Sequence, residues 1–269
     1  MHVEEGYVDY RGYKTWYRLV GDRESGAIPL LALHGGPGST HNYFAPLERL
    51  GAERPVVLYD QIGCGNSDHP GDIDWDVDVF REEVDVVRAQ LALDSIHLLG
   101  TSWGGMLALE HVLSGATGIV SLVLSSTLAS IDQWAEEQAK LRADVDSDEA
   151  YMERHFYRGP RPRAEIERMD AQKATDVYEA MQGPNEWTVT GALRGWDVRD
   201  RLHEIDLPTL VIRGRYDMCT NAIAATLVNG IHGAREAVLE DSSHTPVLEE
   251  SDRYIQIVGS FIREAESGI

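Results

Sequence analysis

The run Gly100-Thr101-Ser102-Trp103-Gly104-Gly105 sets a serine among glycines, with a short apolar stretch before it and a helix-prone stretch, residues 106–113, after it. A sharp strand-to-helix turn holds such a serine in a strained backbone conformation, and large side chains at the flanking positions would clash. The chemistry this arrangement serves is nucleophilic attack by the Ser102 hydroxyl, with a helix N-terminus behind it favouring the negative charge that develops. Acyl transfer of that kind passes through a tetrahedral oxyanion, which needs two convergent backbone N–H donors. Trp103, directly after the serine, supplies one. The loop His34-Gly35-Gly36-Pro37-Gly38 offers the other, from Gly36 by its place in the motif or from the adjacent Gly35.

A serine nucleophile also needs an acid and a base later in the chain. Asp217 in Gly214-Arg215-Tyr216-Asp217 and His244 in Asp241-Ser242-Ser243-His244-Thr245-Pro246 each follow an apolar run of strand character. In these roles His244 takes the Ser102 proton and hands it to the leaving group, while Asp217 fixes the tautomer and stabilises the imidazolium. Asp241 is the rival acid. Among the 10 histidines, His203 and His232 lack the loop context that singles out His244.

Such loops have to be carried to one edge by a sheet. Residues 29–33, 55–59, 96–99 and 119–124 are short apolar runs between polar or Gly-rich segments, as buried parallel strands are. Between the second and third, Val79, Phe80, Val84, Val87 and Leu91 recur at helical spacing over residues 77–93. Strand–helix–strand order predicts an α/β fold, a mostly parallel sheet with helices on both faces. From residue 130 to 201 the strand rhythm stops and charges crowd in. Residues 132–145 and 164–181 read as amphipathic helices, separated by a break at Gly159-Pro160-Arg161-Pro162. Strands return at 208–213 and 234–239, and residues 254–265 read as a closing helix. The expected organisation is a core of 1–129 and 202–269 with a helical cap at 130–201.

With 269 residues, 43% hydrophobic, the chain is long enough for one large core. Its net charge of −21, from 45 acidic against 24 basic residues, argues against nucleic acid or an anionic membrane surface as partner. Two cysteines, Cys64 and Cys219, form no disulfide framework, the first residues carry no signal-peptide pattern, and no apolar run nears the roughly 18 residues of a membrane span. A soluble cytoplasmic protein is expected. Neither HExxH, paired CxxC nor calcium-loop spacing occurs, so no metal and no cofactor are expected. No oligomeric state follows from these features.

Taken together, HGGPGS, residues 59–68 (YDQIGCGNSD), GTSWGG, GRYD and SSHTP resemble the proline iminopeptidase group of the α/β-hydrolase superfamily, as do Met181 to Trp187 (MQGPNEW) and Trp196-Asp197-Val198, which are also similar to the related amino-acid amidases. The likeness covers nearly the whole chain and is weakest across residues 130–179. It implies a serine hydrolase that removes an N-terminal proline or other amino acid from a peptide, amide or arylamide. It further implies that the Glu of the GPNE turn, Glu186, meets the substrate's free α-amino group from the cap, with Gly35 and Trp187 beside it.

A second glutamate, directly after the triad Asp in several members, is absent, because residue 218 is Met218. That departure predicts a more apolar amine site, with Glu249 as a substitute acid or, more simply, as a structural residue. It also keeps open an esterase or lactonase acting on small acyl substrates. Trp103, Trp187 and Trp196 are candidates to line a ring pocket or to pack the core, and Cys64 to set a thiol near that pocket. A non-catalytic ligand receptor fits poorly with an intact Ser102, Asp217 and His244, and dehalogenase or epoxide hydrolase chemistry would put Asp at position 102.

Overall fold

A computed structural model describes residues 1–159 and 172–268. The Gly–Pro break at 160–162 and residues 164–171 of the second expected cap helix lie outside that range. Eight strands form one sheet in the order β1-β2-β4-β3-β5-β6-β7-β8. They are β1 Val3–Tyr10, β2 Tyr13–Val20, β3 Leu30–Leu33, β4 Val56–Tyr59, β5 Ile96–Thr101, β6 Ile119–Ser125, β7 Thr209–Gly214 and β8 Arg235–Leu239. The β1–β2 and β2–β4 pairs are antiparallel and the others parallel. Each parallel strand therefore ends at the same sheet edge, and its following loop opens there.

Period-2 alternation sorts the central strands between two apolar layers. Leu31, Leu33, Val57, Tyr59, Leu98, Leu122 and Leu124 join one core, and Leu30, Ala32, Val56, Leu58, Leu99 and Val123 join the other. The first layer is covered by α1 (Val77–Gln90) and α2 (Trp103–Leu113). Asp76 caps α1, its side chain accepting the Val79 N–H at 2.9 Å.

Between β6 and β7 run α3 (Ile131–Ala143), α4 (Asp148–Tyr151), a π-turn (Met152–Phe156) and α5 (Thr175–Met181). Beyond β7, α6 (Asn221–Gly230) adds to the first layer. After β8 come the short α7 (Pro246–Glu249) and then α8 (Ser251–Ser267), which covers the second layer with a 3₁₀ segment at His41–Ala52. The expected cap helix at 132–145 is thus α3, and of the helix expected at 164–181 the described part is α5.

Three elements escape a reading by periodicity. In the β1–β2 hairpin, β1 carries Glu4, Glu5, Gly6 and Asp9 because it is the edge strand, where charge blocks further pairing. Its turn puts Arg11 and Gly12 at φ 50° and 86°, the positive pair that a two-residue hairpin turn requires. The 3₁₀ segment contains Pro46, and α6 is so uniformly small and apolar that no helical stripe stands out.

Candidate active site

Ser102 occupies the junction of β5 and α2 with φ 54° and ψ −121°, a region costing a non-glycine residue about 1–3 kcal/mol. The surroundings over-determine it. Its N–H donates to the Ser125 carbonyl at 2.9 Å, and its own carbonyl accepts the Thr127 hydroxyl at 2.7 Å and the Gly105 N–H at 2.9 Å. The flanking glycines are sterically required. A Cβ on Gly100 would lie 2.1 Å from the Gly104 carbonyl oxygen, and one on Gly104 would lie 2.0 Å from that of Leu33.

The loop after β3 is fixed by a chain of neutral hydrogen bonds. Nδ1–H of His34 donates to the Gly35 carbonyl at 2.9 Å, and its Nε2 accepts the Gln61 N–H at 3.0 Å. Complete burial pushes the His34 pKa down to about 4, so the lone pair this geometry needs is available at neutral pH. Gln61 also donates to the His34 carbonyl at 2.9 Å and accepts the Trp103 indole N–H at 2.8 Å. The Gly35 N–H is taken by the Tyr43 hydroxyl. Among the described residues, no acceptor pairs with the N–H of Gly36 or of Trp103.

Asp217, after β7, and His244, after β8, meet at 2.8 Å between Oδ1 and Nδ1, both nearly fully buried. The same Oδ1 accepts the Cys219 N–H at 2.8 Å, while Oδ2 has no partner among the described residues. Asp241, the rival acid, is exposed, and its N–H binds Glu250. Burial alone would lower the His244 pKa. The Asp217 carboxylate outweighs this by its charge and hydrogen bond, helped by Glu186 and Glu249, and the imidazole stands above the ordinary 6.5.

Ser102, His244, Gly35, Gly36 and Glu186 all line one cavity of about 430 Å³. Its apolar wall comes from Pro37, Tyr43, Met152, Phe156, Tyr157 and Tyr178. Glu186 reaches it from a turn whose sequence explains its shape. Gly183 takes φ 132°, where a Cβ would lie 2.4 Å from the Thr188 carbonyl oxygen, and the Asn185 side chain accepts the N–H groups of Trp187 and Thr188. The Glu186 carbonyl is tied to the Trp134 indole and to Gln182, so backbone bonds seat the turn. Burial and the nearby Glu186 carboxylate hold the Tyr178 phenol far above its ordinary range.

Of the two roles open to the tryptophans, packing holds, and Trp187 is corrected as a substrate-site residue, since none of the three lines the cavity. Trp103 is buried on Gln61, Trp187 packs on Tyr151 and beneath the Arg142 guanidinium, and the Trp196 indole donates to Glu110. Their indoles serve packing and hydrogen bonding, and the aromatic lining is tyrosine and phenylalanine instead. Cys64 is wholly buried in the turn after Gln61 and does not itself line the cavity, though it sits against Gly38 of the lining loop, and burial pushes its thiol well above the usual range.

Met218 is also buried off the cavity, its carbonyl accepting from Gln138, so the missing acid there leaves the cavity wall untouched. Glu249 is the structural residue. Its carboxylate gathers the N–H and hydroxyl groups of Ser243 and Thr245, fastening both neighbours of His244. A second carboxylate does line the cavity, Glu153 of the π-turn. No sequence signal marks it, because in a charge-rich stretch it looks like any solvated residue.

The α/β hydrolase fold family matches residues 28–251. The proline iminopeptidase of Clostridioides difficile is 37% identical, over 97% of this chain and 99% of that one. Among solved structures, VinJ superposes with a TM-score of 0.92 at 36% identity, covering 97% of this chain and 99% of its own. The Mycobacterium smegmatis proline iminopeptidase gives 0.92 at 32% identity, covering 98% and 99%. With a parallel sheet that delivers a strained serine, a buried Asp–His pair and a glycine loop to one cavity, this chain is a hydrolase, and it belongs to the proline iminopeptidase group of the α/β-hydrolase fold family.

Proposed function

We propose that the chain removes an N-terminal proline, or another small apolar residue, from short peptides and amides through an acyl-enzyme on Ser102. His244 deprotonates the Ser102 hydroxyl and then protonates the leaving amine, and Asp217 holds the imidazole with Nδ1–H toward the carboxylate. The N–H groups of Gly36 and Trp103 receive the oxyanion, and water attacks the ester in the second half-reaction. Residues 130–201 act as a cap that carries Glu186 over the cavity to meet the substrate ammonium. A charge-assisted pair there places the scissile carbonyl at a set distance from Ser102.

The observation that carries this reading is Glu186 on the wall of the cavity that also holds Ser102 and His244, beside an apolar lining suited to a pyrrolidine ring. The argument from Met218 toward ester or lactone substrates lapses with its burial off the cavity. Two free, buried cysteines accord with a reducing, cytoplasmic setting.

Prolyl and alanyl arylamides, each free and N-acetylated, provide the test. Wild-type protein is expected to cleave the free-amine compounds alone, and Glu186→Gln to lower their kcat/KM by about 100-fold or more. Comparable turnover of the N-acetylated compounds by wild type would overturn amine recognition.

The pH profile gives a second check. A proton on His244 removes the base, so kcat/KM should fall on acidification through a pKa raised above the ordinary 6.5. Glu186→Gln removes one of the charges that raise it, so the acid limb should move to lower pH. A wild-type midpoint below 6.5, or a shift upward in the variant, contradicts this.

A further inference from the structure

Asp217 and His244 ride on separate loops, one after β7 and one after β8. One residue from the segment between β6 and β7 touches both. The ring Nδ1–H of His155 donates to the Tyr216 carbonyl at 2.8 Å, immediately before Asp217. The His155 carbonyl accepts the His244 N–H at 3.1 Å. His155 is 5% exposed, with its ring packed on Tyr151.

The contact is reinforced on either side. The Phe156 ring lies 5.6 Å from that of His244, and its carbonyl accepts the Thr245 hydroxyl at 3.3 Å. The Arg158 N–H donates to Glu249 at 2.7 Å, and its guanidinium stacks 3.7 Å over the Tyr216 ring. The winding makes this possible. In the π-turn the Tyr157 N–H reaches back to the Met152 carbonyl, and the last carbonyls of a helical turn lack intrahelical donors. Those of His155 and Phe156 are satisfied by the histidine loop instead. The same turn presents Met152, Glu153 and Phe156 to the cavity.

We infer that His155 is a positioning residue, a clasp that sets the Asp217 loop and the His244 loop in register from the cap side. The backbone half of the clasp fixes where His244 starts, and the imidazole half fixes where Asp217 starts. Because the clasp and part of the cavity wall are one turn, a substrate filling the cavity presses on the element that aligns the pair. The inference rests on the proposed roles of Ser102, His244 and Asp217.

The test compares His155→Asn, His155→Gln and His155→Ala. An asparagine amide puts a donor where Nδ1–H stood, whereas a glutamine amide puts it one bond farther out, near the Nε2 position. A misalignment of about 1 Å costs roughly 100-fold in rate. His155→Gln and His155→Ala are therefore expected to lose about 10- to 100-fold in kcat with KM nearly unchanged, and His155→Asn to recover most of it. The low-field proton NMR signal of the His244 Nδ1–H should persist in His155→Asn and shift or broaden in the other two.

The rate of Ser102 labelling by a fluorophosphonate should follow the same order, with thermal melts confirming that each variant is folded. If wild type fails to label at Ser102, the proposed mechanism fails. If wild type labels and folded His155→Gln keeps its rate, or falls no further than His155→Asn, the clasp is refuted and the mechanism stands.

Discussion

Ser102→Ala is expected to abolish turnover, lowering kcat by about 10⁴- to 10⁶-fold while the protein stays folded and still binds substrate. The folded state should tolerate the change because the hydroxyl is not what seats the residue. The hydrogen bonds that seat Ser102 come from its N–H and its carbonyl, and alanine keeps both. What is lost is the hydroxyl that the proposed mechanism has His244 activate. Residual rate would come from the Gly36 and Trp103 donors and from positioning, which act on water far less effectively. Steady-state assays on a prolyl arylamide, with calorimetry of substrate binding, measure both halves. Turnover within tenfold of wild type would sink the assignment of the nucleophile.

Gly104→Ala should be nearly as damaging, for a different reason. The added Cβ would stand 2.0 Å from the Leu33 carbonyl oxygen and 2.6 Å from that of His34, and backbone cannot swing aside as a side chain can. Either α2 moves off β3, or β3 moves and carries the Gly35-Gly36 loop with it. Overpacking of this kind costs about 1–3 kcal/mol even where side chains can adjust, and more is expected here. Gly115 is the control, because its φ is positive, at 87°, unlike that of the helical Gly104, yet a methyl group added there would meet nothing within 4 Å. Gly115→Ala should cost only about 1–2 kcal/mol, from backbone conformation alone, and leave kcat intact. Denaturant melts of the two variants decide it, and equal losses would show that steric closeness at the elbow is not the cause.

The parts of this protein that can be read from sequence are those where one residue type answers one local demand. The glycines around Ser102 answer a collision between backbone atoms, and Asn185 answers the need to hold two N–H groups in a tight turn. The parallel strands are readable because both their faces are buried, which leaves continuous apolar runs. The β1–β2 hairpin is not, since an edge strand keeps its charges. Glu153 and His155 are invisible for a further reason. Their roles come from where a five-residue π-turn is docked, and nothing in a short charged stretch records which distant loops it will meet. Trp103 is ambiguous because an indole suits a pocket wall and a buried hydrogen bond to Gln61 equally well, and only the fold chooses between them.

The strand order has a consequence for how the protein is made. From β5 onward each strand adds beside the previous one, so the sheet extends at one edge in the order in which the ribosome delivers it. The serine elbow is complete once β6 is in place, because Ser125 and Thr127 then hold it, but the aspartate and histidine arrive only with the last two strands. At about 5–20 residues per second, a nascent chain carries its nucleophile for on the order of ten seconds without a base to activate it. With the roles proposed for Ser102 and His244, a hydrolase built in this order would stay chemically silent toward its own unfolded segments, and toward neighbouring growing chains, until the final strand docks.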